Sequence, residues 1–311
     1  MRSPGFWKSH YVTSTDPDEV ARAGRTLTVT SGGETVELLL FPQEEDVPSI
    51  LVSPGSGGHA YVFAELAYLT HCAGYRVFVM PKHGDKTVDE LVVRHREVIG
   101  YIAARYSDRI GLYGEGLGGY VGFYVALAGT PSVGSIACQN SPAILTELAY
   151  HRALLAESGP WARAASRRRI MLPVGRQLVR RAPWLRVPIS SYLPWRDLVD
   201  THEGVRDVER RLVSDGYLED PDFDRWYSLS TVMSLVSTPP PAPLVSLATP
   251  TMFVIASQGP TPGYVADLYD RLPLTRKRIL RVEGSVYWML SHPREAAALI
   301  GDWFDASLPP P

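Results

Sequence analysis

Hydrophobic and polar positions follow two different periods along this chain. Short apolar or alternating runs predict strands at Arg25–Thr30, Glu34–Phe41, Ser49–Ser53, Tyr75–Met80, Arg109–Tyr113, Ser135–Gln139, Thr251–Ala256 and Arg278–Val282. Helical spacing lies between most of them, at Ala60–Ala73, Val88–Tyr106, Leu117–Ala128, Tyr264–Arg271 and Arg294–Phe304. In Val88–Tyr106 the residues Leu91, Val92, Val98, Ile99 and Ile102 fall on one side. Ser31-Gly32-Gly33 joins the first two strands as a hairpin, and Gly74 stops the helix before it. Strands that alternate with helices predict an α/β protein with a mostly parallel sheet covered on both faces.

From Pro142 to Thr249 the rhythm changes. No strand pattern is visible, and helical stretches rich in Arg, Trp and Leu are broken by prolines up to a stiff Thr238-Pro-Pro-Pro-Ala-Pro243 connector. The division expected is a core of residues 1–141 and 250–311 with a helical cap inserted at 142–249. In an open α/β sheet ligands bind at the carboxyl ends of the strands, and an insertion leaving one of those ends would roof the site.

Composition narrows the class. The chain has 311 residues, 45% of them apolar and 21% charged, with a formal net charge of −2. That suits one large domain or a domain with an insertion, and excludes whole-chain disorder. The near-neutral balance provides no whole-molecule attraction for nucleic acid. Met1–Asp18 has no apolar signal-peptide segment, and Ile110–Gly129 is broken by Glu115 and glycines, so a cytoplasmic protein without a transmembrane segment is expected. Cys72 and Cys138 cannot form a disulfide framework and lack metal or redox spacing; both are expected to be buried thiols. The histidines show no paired metal-ligand spacing. The 27 Arg against 4 Lys read as a base-composition bias.

The chemistry concentrates at Gly114-Glu115-Gly116-Leu117-Gly118-Gly119, between a strand and a helix. The spacing is that of a nucleophile elbow, Gly-x-Ser-x-Gly, with Gly116 where the serine would be. The same residues match Gly-x-Gly-x-x-Gly, but they follow the third strand of the alternating part, and the next strand ends in Gln139-Asn140 without an acid. A dinucleotide site is therefore disfavoured, and no cofactor is implied.

From about Arg25 to Phe304 the chain resembles the α/β-hydrolase superfamily, in particular its capped lysophospholipase and monoacylglycerol-lipase branch. The matching pieces are Pro54-Gly55-Ser56-Gly57-Gly58 at the oxyanion loop and Gly114–Gly119 at the elbow. Thr249-Pro250 after the cap, Val282-Glu283-Gly284-Ser285, and Leu290-Ser291-His292-Pro293 complete the set. The resemblance places the nucleophile at Gly116, the acid at Gly259 and the histidine at Tyr287, so all three catalytic positions are replaced. It also implies an oxyanion hole from the amides of Ser56 or Gly57 and of Leu117.

Without a hydroxyl and a base, covalent acyl transfer by the usual route is lost, but the backbone donors survive. Tyr287 and His59 are the candidate acid–base groups. Glu115 is expected to point away into a buried polar contact, His83 to lie in a solvated turn, Asn140 and Ser141 to hydrogen-bond at most, and His292 to start a helix. Eight arginines, Arg163, Arg167, Arg168, Arg169, Arg176, Arg180, Arg181 and Arg186, form either a solvated face or a basic patch for an acidic carrier protein or an anionic membrane surface. Trp161, Trp184, Tyr192, Trp195, Trp226 and Tyr227 suggest an apolar roof. The leading expectation is a lyase or cyclase acting on a small carbonyl-containing metabolite. An inactive binding or scaffold protein and a hydrolase with displaced residues remain the alternatives.

Overall fold

The strands are β1 (Arg25–Ser31), β2 (Glu34–Phe41), β3 (Ser49–Ser53), β4 (Arg76–Val79), β5 (Ile110–Glu115), β6 (Val133–Gln139), β7 (Arg186–Pro188), β8 (Trp226–Ser228), β9 (Thr251–Ala256) and β10 (Lys277–Val282). They come from a computed structural model that describes residues 5–44, 46–141 and 144–308, and only the backbone of 168–171. Eight of them form one sheet in the order β1-β2-β4-β3-β5-β6-β9-β10. β1–β2 and β2–β4 pair antiparallel, and all other neighbours in this sheet are parallel. Gly32 and Gly33 both have left-handed φ, as a two-residue primed hairpin turn requires.

Alternate side chains of β3 feed the two faces. Leu51 packs with the helices Val88–Arg105 and Leu117–Leu127, whereas Ile50 and Val52 pack with Ala64–Cys72 and Pro293–Ser307. This is why β3 reads as continuously apolar: both faces are covered. Cys138 is buried beneath the helix Leu117–Leu127, and its thiol meets the Gly119 carbonyl. Cys72 is exposed, contrary to expectation, because it falls at the end of its helix beyond the buried stripe.

Between β6 and β9 the chain leaves the sheet and packs over the strand ends, a region called the cap below. It is not purely helical: β7 and β8 pair as a short antiparallel ribbon. Three-residue strands containing Arg186 and Pro188 are too short for a sequence period to register, and only their partners make them strands. Two short helices near the N-terminus, Phe6–His10 and Pro17–Ala23, are also additions to the sequence reading. The segment between them is held by Glu65, whose carboxylate accepts from the Thr13 and Ser14 amides at 2.7 Å each.

Buried carboxylates fasten the cap to the core. Asp220 accepts from the Tyr11 hydroxyl at 2.8 Å and from His59 Nε2 at 2.7 Å. Glu209 accepts from Ser285 Oγ at 2.7 Å, Ser291 Oγ at 3.0 Å and the Asp200 amide. Removing Asp220 strands two buried donors at once. Asp220→Ala should therefore cost about 2–4 kcal/mol in urea unfolding, and the loss should be non-additive with Tyr11→Phe. A loss under about 0.5 kcal/mol, the scale of a neutral surface change, would show that the clamp contributes nothing.

Candidate functional site

At the end of β5 the chain reverses into the helix Leu117–Leu127 through Gly116, at φ 50° and ψ −112°. The turn can be this sharp only because its neighbours lack side chains. A Cβ on Gly114 would lie 2.4 Å from the Gly118 carbonyl carbon, one on Gly118 2.1 Å from the Ser53 oxygen, and one on Gly119 2.7 Å from the Gly114 oxygen. At Gly116 the situation is the reverse: a Cβ would find only Gly55 Cα, at 3.9 Å. The tip of the elbow therefore has space in front of it and no side chain of its own.

That space belongs to a cavity of about 430 Å³ between the strand ends and the cap. Ser56, Glu115, Gly116, Leu117 and Asn140 form its floor; Val187, Ile189, Leu229 and Met233 are among the cap residues that roof it. Trp161, Tyr192 and Trp195 also line it, as expected, while Trp184 and Trp226 are exposed and Tyr227 is buried outside its wall.

Among the described residues, the Ser56 and Leu117 amides have no acceptor within the chain. Leu117 opens a helix, so its N–H has no intrahelical partner. The Gly57 amide behaves otherwise: it donates to the Tyr227 hydroxyl at 2.8 Å, and Gly57 does not line the cavity. Ser56 and Leu117 thus bring amides without an acceptor among the described residues to the cavity, whereas the cap has taken the amide of Gly57.

Glu115 is the main correction to the sequence reading. It does not turn away into a polar contact. Its side chain lines the cavity beside Gly116, with no hydrogen-bond partner among the described residues. Gly55 makes room for it, since a Cβ there would lie 1.7 Å from Glu115 Oε2. Burial pushes the carboxyl up to about 8, so it holds its proton at neutral pH. The sequence contains the slot, a glycine at 55, but nothing that connects it to residue 115. Ser191, whose buried hydroxyl on the cavity wall lacks a partner, carries no sequence signal at all.

Tyr287 lines the cavity, but its hydroxyl donates to the Trp195 carbonyl at 2.8 Å. Burial, then the neighbouring Tyr217, Glu115 and Glu209, raise it well above an ordinary phenol, so it is held in the neutral form. His59 is off the cavity wall: Nδ1 accepts from the Tyr61 amide and Nε2 faces Asp220, which ties up both ring nitrogens. Gly259 is also off the wall, and a Cβ there would be 2.9 Å from the Ala256 oxygen and 3.0 Å from Asn140 Oδ1. Asn140 is a pin, accepting from the Ala256 amide at 3.0 Å and donating to the Val286 carbonyl at 3.1 Å. Ser141 is buried, with a hydroxyl that has no partner among the described residues.

His83 is buried rather than solvated. It sits behind the Pro54–Gly58 loop, donating to the Pro54 carbonyl at 2.6 Å, and burial depresses it to about 4. It stacks on His95, which in turn bonds Ser53 Oγ at 2.9 Å. His292 stands at the start of the helix Pro293–Ser307, as expected, without a side-chain capping bond.

No family model matches the chain, and none of the curated proteins does. Solved structures do. A monoacylglycerol lipase from Paleococcus ferrophilus superposes with TM-score 0.63 at 17% identity, over 86% of this chain and 99% of that one. A soluble variant of monoglyceride lipase from Saccharomyces cerevisiae, in complex with a substrate analogue, gives 0.66 at 12% identity over 93% and 96%. A lipase in its open form gives 0.68 at 11% identity over 91% and 99%. The chain has the α/β-hydrolase fold.

The raised Glu115 carboxyl has a consequence for stability. The folded chain keeps a proton that the unfolded chain releases above about pH 4.3, the ordinary glutamate value. Its contribution therefore becomes unfavourable as pH rises through the window from there to about 8, and is constant above it. Glu115→Gln should flatten this fall, so that the variant gains on the wild type between pH 5 and about 8 in denaturant titrations. A constant difference across that window would mean that the carboxyl is ionised in the fold.

Proposed function

We propose that this protein is a non-hydrolytic acid–base enzyme built on the α/β-hydrolase fold, acting on a carbonyl compound with a substantial apolar part. The observation that carries the reading is the placement of Glu115: a carboxyl without a partner among the described residues, raised to about 8, beside a side-chain-free elbow and lining the same cavity as Ser56 and Leu117, whose amides have no acceptor among those residues. A group with that pKa can both take and return a proton near neutral pH.

The substrate carbonyl oxygen sits against the Ser56 and Leu117 amides, with its apolar portion under the cap. The ionised fraction of Glu115 removes the proton on the carbon next to the carbonyl. The electron pair moves into an enolate, whose charge the two amides meet where it develops. Collapse of the enolate then expels a group from the neighbouring carbon or closes a ring, and the Glu115 proton passes to the leaving group or product. The pattern is that of a lyase or cyclase and involves no acyl-enzyme. The replacement of all three inherited catalytic positions, Gly116, Gly259 and Tyr287, supports this reading over hydrolysis. The tying up of His59 and Tyr287 by the cap supports the second one, a binding protein without catalysis.

Two measurements separate the readings. In D2O, wild-type protein should exchange the α-hydrogens of a medium-chain 3-ketoacyl thioester faster than buffer, and Glu115→Gln should lower that rate by ~10²-fold or more while remaining folded. Exchange at the buffer rate, or exchange unaffected by Glu115→Gln, removes the enzyme as proposed. Separately, a fluorophosphonate probe should leave the protein unlabelled, and p-nitrophenyl esters should turn over no faster than the blank. Stoichiometric labelling of a cavity serine would instead establish a hydrolase with displaced machinery.

A further inference from the structure

The cap has a surface whose composition is unlike the rest of the molecule. From Ser158 to Arg196 the chain contains nine arginines and no acidic residue, although the whole chain carries a net charge of −2. The remainder is therefore strongly negative, and the molecule is electrically lopsided. Two of these arginines are paired, Arg163 with Asp197 and Arg186 with Asp85. Arg167, Arg176, Arg180 and Arg181 are exposed and have no ion pair among the described residues.

Large apolar side chains stand among them. Trp184 is 70% exposed and Leu185 46% exposed, and Val174, Leu178 and Trp226 are exposed as well. Single exposed apolar residues are ordinary, but five on one basic element group are not. Three of the five, Val174, Leu178 and Leu185, also line the cavity. The apolar rim and the apolar interior are thus continuous, and exposed arginines alternate with the rim residues along the same stretch of chain.

We propose that this face of the cap docks on an anionic lipid surface. Arginines at 176, 180 and 181 would meet the headgroup charges, and Trp184 and Leu185 would enter the interfacial layer. Charge complementarity selects an anionic partner. The protruding Trp and aliphatic side chains select a lipid interface over a purely acidic protein, because arginines alone would satisfy the latter. An apolar compound could then pass from the lipid into the cavity along a continuous apolar path. This docking surface is independent of the chemistry assigned to Glu115.

Co-sedimentation of the full chain with vesicles tests it. The protein should bind vesicles of phosphatidylcholine mixed with phosphatidylglycerol at low salt, release at high salt, and ignore pure phosphatidylcholine. Trp184 emission should move to the blue on binding. The double change Arg180→Glu, Arg181→Glu should weaken partitioning by at least ~10-fold with unchanged thermal unfolding. If that variant misfolds, Trp184→Ala serves instead, with a smaller loss expected. Failure of the wild type to bind anionic vesicles, or binding that neither variant changes, overturns the proposal. A chain that ignores vesicles but binds polyglutamate through the same arginines would assign the surface to an acidic protein and equally overturn it.

Discussion

The start of the helix Leu117–Leu127 lies closer to the ends of β3 and β5 than any side chain allows. Gly118 rests on the Ser53 carbonyl and Gly114 on the Gly118–Gly119 backbone, at distances where even a methyl group would collide. Everything that can act at this site depends on that approach. It forces the backbone at Gly116 into positive φ, leaves the Leu117 amide at the head of a helix, and brings the Ser53–Gly58 loop beside it. Alanine at 118 would push the helix off the sheet and move Leu117 away from the Ser53–Gly58 loop.

Glycine at the elbow tip suits this arrangement, because it tolerates the conformation better than a residue with a side chain does. What glycine leaves is a site organised by backbone, in which the nearest ionisable group is Glu115. The two glycines cooperate. Gly116 opens the space in front of the elbow, and Gly55 opens the slot into which the Glu115 carboxyl fits. An apolar enclosure then supplies no partner, and desolvation holds the proton on.

The cap controls the loop as much as it covers the cavity. Tyr227 occupies the Gly57 amide, the Asp224 amide donates to the Gly57 carbonyl, and Asp220 holds His59. The Pro54–Gly58 loop is therefore fastened from above by cap residues and from behind by His83 on the Pro54 carbonyl. Its shape is a property of core and cap together. The outer face of the same cap has the opposite character, exposing arginines and tryptophans that the inner contacts leave free.

The period of the apolar residues was enough to reveal the alternating strands and helices, because these reflect burial within single segments. The glycine spacing at 114–119 likewise revealed the elbow, since its steric demand is local. The choice between Ser56 and Gly57, the orientation of Glu115 and the roles of His59 and Tyr287 were not readable in this way. Each depends on a partner far along the chain: Tyr227 for Gly57, Gly55 for Glu115, Asp220 for His59, Trp195 for Tyr287. The strands β7 and β8 escaped for the same reason, as a three-residue strand exists only through its neighbour. Local sterics and periodicity are written in sequence; which polar group meets which across some 60 to 170 residues is decided by packing.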